Sequence, residues 1–135
     1  MERKSVLVIE DEKEIRESFQ EAIENEGFKV FTAENGKEGL KIMPTLPNPG
    51  LILLDLLMPI MNGWEFLKAV EEDRTLPRIP VVIISAVGRQ SQGLPVENVF
   101  QKPVDLNLLL DTVEYYCGDK FENAEVIVDL NVARG

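Results

Sequence analysis

Four short apolar runs in this chain each end on residues able to do chemistry. Glu10 and Asp11 follow SVLVI, Asp55 follows GLILL, Ser85 follows PVVII, and Lys102 with Pro103 follows VFQ. Carboxylates, a hydroxyl and an ammonium group suit a site that holds a cation and handles a phosphoryl group. Three carboxylates brought together repel one another unless a cation lies between them. An all-oxygen donor set with room for water favours Mg²⁺, with Mn²⁺ possible, over softer metals. A carboxylate can also attack phosphorus to give an acyl phosphate when cationic groups neutralise the phosphoryl oxygens. Asp55 is the central member and the one an incoming group reaches most easily. The cation and Lys102 would each take one phosphoryl oxygen, and Ser85 with nearby backbone N–H groups the third.

These residues converge only if the runs that precede them are strands of one sheet. Runs of four or five apolar residues read as strands buried on both faces, and such strands are joined by helices. In open α/β sheets the chemistry lies beyond the carboxyl ends of the strands. Between the first two runs, Ile15, Phe19, Ala22 and Ile23 form one helical stripe over residues 12–26, stopped by Gly27. FKVFTA is the second strand, and KEGLKIM is a helix limited by Pro44. After GLILL, the loop DLLMPIMNG leads into a helix, WEFLKAVEED, with Phe66, Leu67 and Val70 toward the sheet. AVGRQSQGLP, after PVVII, has room for no more than a turn or two of helix. Asp105 is placed to cap a last helix carrying Leu106, Leu109, Leu110 and Val113 on one stripe, with Gly118 as its end.

Five strands with right-handed helical crossovers give an α/β, doubly wound parallel sheet with helices on both faces. The economical topology is the flavodoxin-like order 2-1-3-4-5. That order sets strands one and three side by side, so Glu10, Asp11 and Asp55 meet at the switch point. Strand four delivers Ser85 and strand five brings Lys102.

Composition narrows the function classes. With 135 residues and 44% hydrophobic side chains, one domain with a real core is expected. The net charge of -10 argues against direct binding of nucleic acid or an anionic membrane surface, because both would be repelled. A single cysteine, Cys117, cannot form an internal disulfide, and the first apolar stretch is too short for a signal peptide, which together point to the cytoplasm. Histidine is absent, which removes imidazole bases and ordinary zinc sites. A phosphoryl donor must therefore be another polypeptide or a small phosphodonor.

VLVIEDE, LILLDLLMPIMNGWEFL, VVIISA and VFQKPVDL together resemble the signature stretches of the response-regulator receiver domain, over residues 4 to 117. The PIMNG loop and the Lys-Pro pair are further points of likeness, and the 2-1-3-4-5 order rests in part on the same resemblance. It implies a regulator of a two-component or phosphorelay system. Asp55 would accept a phosphoryl group from the phosphohistidine of a sensor histidine kinase or histidine phosphotransfer protein, then switch the binding of a downstream protein. It also implies that Asp11, Asp55 and the backbone carbonyl of Leu57 bind Mg²⁺ directly, that Glu10 helps through water, and that Ser85 and Lys102 sense the phosphate. The Lys102–Pro103 peptide is a candidate for the cis form. Residues 1–118 would be the receiver and 119–135 a tail of open structure. With no output domain following, the chain is either a single-domain regulator or part of a larger protein.

Several residues depart from the family pattern. Val99 occupies the switch position where relatives carry a rotating aromatic residue, and Phe100 beside it should face the opposite side and join the core. The stretch from Ser85 to Lys102 is short, which implies a cut-down fourth helix. Apolar Leu57 and Val87 flank the site and would hinder an attacking water. Two other readings compete. A metal-dependent phosphohydrolase with an aspartate nucleophile commonly places a second acid two residues on, where this chain has Leu57. A module that only docks would have no need of Asp11, Asp55, Ser85 and Lys102 together. The expectation is a switch, not an enzyme, beyond its own phosphorylation and dephosphorylation.

Overall fold

The computed structural model describes residues 3–86 and 93–118. Five apolar runs form strands: β1 (Ser5–Ile9), β2 (Val30–Ala33), β3 (Pro49–Leu54), β4 (Val81–Ser85) and β5 (Asn98–Gln101). They pair in parallel in the order β2-β1-β3-β4-β5, the doubly wound arrangement expected from the sequence. Four α-helices are described: α1 (Lys13–Asn25), α2 (Gly36–Ile42), α3 (Gly63–Glu72) and α4 (Leu106–Cys117).

Alternation along the strands divides the core into two layers. Val6, Val8, Leu51 and Leu53 face α1 and α4, where they meet Phe19, Ile23, Leu109 and Val113. Leu7, Ile9, Ile52 and Leu54 face the other way, toward Met43, Phe66 and Leu67 on the α2 and α3 side. Each such side chain contributes about 1.5–3 kcal/mol when fully buried. A slip of one residue in any central strand would exchange the two layers, so this double burial fixes the register and with it the line of strand ends. Phe100 lies in the first layer and Val99 packs on the second, as strand alternation requires.

Three of the four described α-helices start on a side-chain cap, α1 being the exception. Asn62 accepts from the Glu65 N–H while the Glu65 carboxylate accepts from the Asn62 N–H, a capping box that begins α3 at the end of the β3 loop. Asn35 accepts from the Glu38 N–H at α2, and Asp105 accepts from Asn107 and Leu108 at α4. Gly27 takes φ 93° just past the end of α1, a conformation in which a side chain is strained.

The boundaries differ from expectation in three places. β2 starts at Val30, leaving Phe28 to fill the first layer beneath the Arg3 guanidinium, 4.5 Å from the ring centroid. The second α-helix ends at Ile42, within the limit set by Pro44, but the chain does not leave helical geometry at once. The chain tightens into a 3-10 turn over Met43–Thr45, whose first turn needs no N–H from proline. Leu106, expected on the core stripe of the last helix, is exposed at the first position of α4. The segment between β4 and β5 is described only at residue 86 and residues 93–97, none of them helical. The expected short helix falls largely on residues 87–92, outside the described residues, as does the tail from residue 119. Among the described residues no helix is long and apolar enough to cross a membrane.

Candidate functional site

The ladder hydrogen bonds run one residue past the strands, and this places the site. The Asp55 N–H donates to the Ile9 carbonyl at 3.0 Å, setting Asp55 beside Glu10, whose own N–H donates to Ala33 at 3.0 Å. The Lys102 N–H donates to the Ser85 carbonyl at 2.9 Å, joining the ends of β4 and β5 in the same way. Four residues far apart in sequence thus reach one end of the sheet through backbone pairing alone. The Lys102–Pro103 peptide bond is cis.

Burial makes the site electrostatically tense. Carboxylate oxygens of Glu10, Asp11 and Asp55 lie within 4.8 Å of one another, with Glu10 and Asp55 buried and Asp11 half-buried. Glu10 is held at both oxygens. Oε2 accepts from the Glu12 N–H at 3.0 Å, and Oε1 has the Lys102 ammonium at 2.7 Å as its compensating charge. The same ammonium stands 3.5 Å from Asp55 Oδ2. Burial, then the charge of Glu10, push the Asp55 carboxyl up to about 7, against the pull of Lys102. For Lys102, burial opposes the charged form, but its hydrogen bond to Glu10 and the charges of Glu10 and Asp55 outweigh it and raise its pKa.

This donor set fits a hard divalent cation. All the ligand atoms are oxygens, and one lysine cannot neutralise three carboxylates. Asp11 and Asp55 have the more available oxygens, because both of Glu10's are engaged.

The loop after β3 shapes the mouth of the site. Leu56 and Met58 turn inward to the second layer, while Leu57 and Ile60 face solvent at 52% and 76% exposure. Ile60 has φ 70°, a left-handed backbone that is costly for a β-branched residue. Gly63 lets α3 start against the loop that follows β3. A Cβ there would meet the Asp55 carbonyl oxygen at 2.6 Å and Leu56 Cα at 2.8 Å. The Gly63 N–H donates to the Leu56 carbonyl at 2.9 Å.

Of the residues singled out from sequence, Glu10, Asp11, Asp55 and Lys102 come together directly. Ser85 is fully buried at the end of β4, next to Lys102 through the backbone. Val99 is half-buried in β5 and Leu57 is exposed at the rim, whereas Val87 lies outside the described residues. Sequence reading passed over Arg16, whose guanidinium bonds the carbonyls of Glu10 and Asp11, and Gly63. The Asn-x-x-Glu capping signal at Asn62 marked the helix that Gly63 begins. Nothing in the spacing of Arg16 separated it from an ordinary surface residue.

Residues 6–114 match the response regulator receiver domain. The chain belongs to that family. It is 29% identical over 121 residues to the polar-differentiation response regulator DivK of Brucella anthropi, covering 86% of this chain and 98% of that protein. The phosphorylated cyanobacterial phytochrome response regulator RcpA aligns at a TM-score of 0.69 with 30% identity, over 84% of this chain and 93% of that one. A CheY-like receiver domain protein from Methanospirillum hungatei shares the fold at a TM-score of 0.72 with 23% identity, over 85% and 94%. This is a receiver domain of two-component signalling, a class of regulators that works with sensor histidine kinases and is distinct from classical enzymes.

Proposed function

We propose that Asp55 is the phosphoacceptor of this receiver and that its phosphorylation, from a partner's phosphohistidine, switches the binding of a downstream protein. The observation that carries this reading is the buried meeting of Glu10, Asp11 and Asp55 within 4.8 Å, with the Lys102 ammonium 3.5 Å from Asp55 Oδ2. An Asp55 oxygen attacks phosphorus, the P–N bond of the donor breaks, and the electron pair returns to the donor's imidazole. Lys102 is positioned to take up a phosphoryl oxygen, and the Ser85 hydroxyl at the end of β4 another. Asp11, Asp55 and the Leu57 carbonyl would hold Mg²⁺, with Mn²⁺ as a substitute and Glu10 acting through water. When bound, the ion neutralises charge on the phosphoryl oxygens.

A groove of about 510 Å³ beside Lys102, lined by Ile15, Phe19, Pro103, Val104 and Leu106, supports docking of a donor protein at this end of the sheet. The similar RcpA is a phosphorylated response regulator, which supports the same chemistry here. Val99 excludes a Tyr- or Phe-type rotation at the switch position, so the switch must work through backbone and packing changes around Ser85 and Lys102. We assign the receiver to residues 1–118, separate from the tail at 119–135, and place its activity in the cytoplasm with its donors.

Intact mass after incubation with acetyl phosphate and Mg²⁺ tests this directly. One added phosphoryl group, absent from Asp55→Ala and from a metal-free control, is expected. No adduct in the wild type, with acetyl phosphate and with phosphorylated histidine donors alike, would overturn the reading.

A further inference from the structure

A buried acidic cluster needs something to aim its carboxylates, and the loop that carries two of them has few bonds of its own. Glu10 is tied through its Oε2 to the Glu12 N–H, and α1 begins immediately afterwards without a side-chain cap. The backbone carbonyls of Glu10 and Asp11 flank this turn. Both are met by one side chain. Arg16 Nη1 donates to the Glu10 carbonyl at 2.9 Å and lies 3.3 Å from the Asp11 carbonyl. Its Nη2 reaches Glu34 at 3.9 Å, at the end of β2, and its side chain is only 13% exposed.

The arrangement is unusual in its electrostatics. A guanidinium reaching the turn that carries Glu10 and Asp11 could pair with one of their carboxylates. Arg16 instead bonds the carbonyl oxygens of these two residues, and leaves the acids to face each other. One guanidinium nitrogen, Nη1, serves both carbonyls while Nη2 turns to Glu34, and the planar group fixes these directions together, which a lysine's single rotating ammonium does not. The exposed Glu34 contact adds little energy by itself. Its effect is to fix the direction from which the fork approaches.

We propose that Arg16 is a positioning residue for the metal site: by clamping the carbonyls of Glu10 and Asp11 it fixes the β1–α1 turn so that both carboxylates converge on Asp55. This inference rests on the cation-binding reading of the acidic cluster given above. It carries a sign that separates it from a plain charge effect. A fixed positive charge close to the site opposes a second cation, so removing Arg16 as a charge alone would tighten metal binding. Removing it as a clamp would loosen metal binding, by about tenfold where groups that orient metal ligands are lost.

The test is a Mn²⁺ titration followed by the electron paramagnetic resonance signal of the free ion, on the full chain. Wild type, Arg16→Gln and Arg16→Lys are compared, with the metal-free melting temperature measured on each as a control for folding. The expected result is about tenfold weaker Mn²⁺ binding in Arg16→Gln, with Arg16→Lys falling between it and wild type. Unchanged or tighter binding in Arg16→Gln would overturn the proposal, as would full wild-type affinity in Arg16→Lys. Should Arg16→Gln fail to fold, Arg16→Lys decides by the same criterion. Absence of Mn²⁺ binding in the wild type would overturn the cation-binding reading, and this inference with it. Wild-type binding without an Arg16 effect would overturn this inference alone.

Discussion

Ile9 and Leu54 are register partners across β1 and β3 and are fully buried; Glu10 and Asp55, one residue further along each strand, are buried almost as deeply, at 2% and 5% exposure. One step along the sheet therefore changes apolar packing into a cluster of like charges at nearly the same depth. The strands make the first pair stabilising and impose the second. The same backbone ladder that aligns Ile9 with Leu54 carries the Asp55 N–H onto the Ile9 carbonyl. The core thus supplies the stability against which the site is held in a charged arrangement that its members would not adopt alone. What relieves that arrangement is either a proton on Asp55 or a cation among the three acids. Receiver chemistry, as we read it, uses the second.

The contrast can be broken most severely from the core side. Phe66 is fully buried in the second layer, and Phe66→Ala is expected to cost about 3–5 kcal/mol by leaving a cavity. Urea unfolding checks this. A loss below about 1 kcal/mol would mean that the α3 layer collapses freely onto the sheet.

At the boundary between core and site, Gly63→Ala sets a Cβ into contact with the Asp55 carbonyl and Leu56 Cα. Backbone rather than a flexible side chain must give way. A destabilisation of about 1–3 kcal/mol is expected, accompanied by slower phosphorylation because Asp55 itself is displaced. Stability reduced with phosphorylation unchanged would show that the loop absorbs the shift without moving the acid.

The site side makes a prediction with a definite sign. An aspartate in the unfolded chain titrates near 3.9, whereas Asp55 in the folded protein is pushed up to about 7. Between those values the folded state holds a proton that the unfolded state has lost. The contribution of Asp55 is therefore fully present below about pH 4 and is lost as pH rises through about 7. Metal-free protein should melt higher near pH 5 than near pH 8. Asp55→Asn should remove most of that difference and raise the melting temperature at pH 8, and added Mg²⁺ should do the same for the wild type. An Asp55→Asn variant that is less stable than wild type at pH 8 without metal would contradict the electrostatic account.

The smallest effect concerns the mouth. Ile60 is 76% exposed and holds φ 70°, so its side chain contributes little packing while its backbone is strained. Ile60→Gly relieves about 1–2 kcal/mol of left-handed strain and adds about 0.5–1 kcal/mol of unfolded-chain entropy, for a net gain of about 0.5 kcal/mol. A loss larger than about 1 kcal/mol would mean that the isoleucine packs on something in solution.

The legibility of this molecule follows the same divide. Apolar runs buried on both faces announced β1, β3 and β4, and Asp105 announced the start of the last helix. The chemistry stood out because a charged or hydroxyl residue directly after such a run has no packing reason to be there. The positions of Glu10, Asp55, Ser85 and Lys102 could be read on that ground. What could not be read depends on three-dimensional approach. Arg16 looks like any solvated helix residue until the turn brings the Glu10 carbonyl to it. Gly63 looks like a helix start until α3 is seen to lie on Asp55. Leu106 fits the apolar stripe of α4 and is nevertheless exposed, because helical period says which face a residue shares but not how deeply the first turn is packed. Pro44 did mark the limit of the second α-helix, but not the 3-10 turn that follows it, which accepts proline where a continuing α-helix would not.

The central claim is that the phosphoryl group sits on the carboxylate of Asp55 as an acyl phosphate. Borohydride reduces an acyl phosphate to the alcohol, so protein treated with acetyl phosphate and Mg²⁺, reduced and digested, should carry homoserine at position 55 in place of aspartate. Peptide mass spectrometry reads this directly. Homoserine at position 55, and none when phosphodonor or Mg²⁺ is omitted, is the predicted result. A phosphorylated protein whose reduced peptides keep aspartate at position 55 and change elsewhere would contradict it.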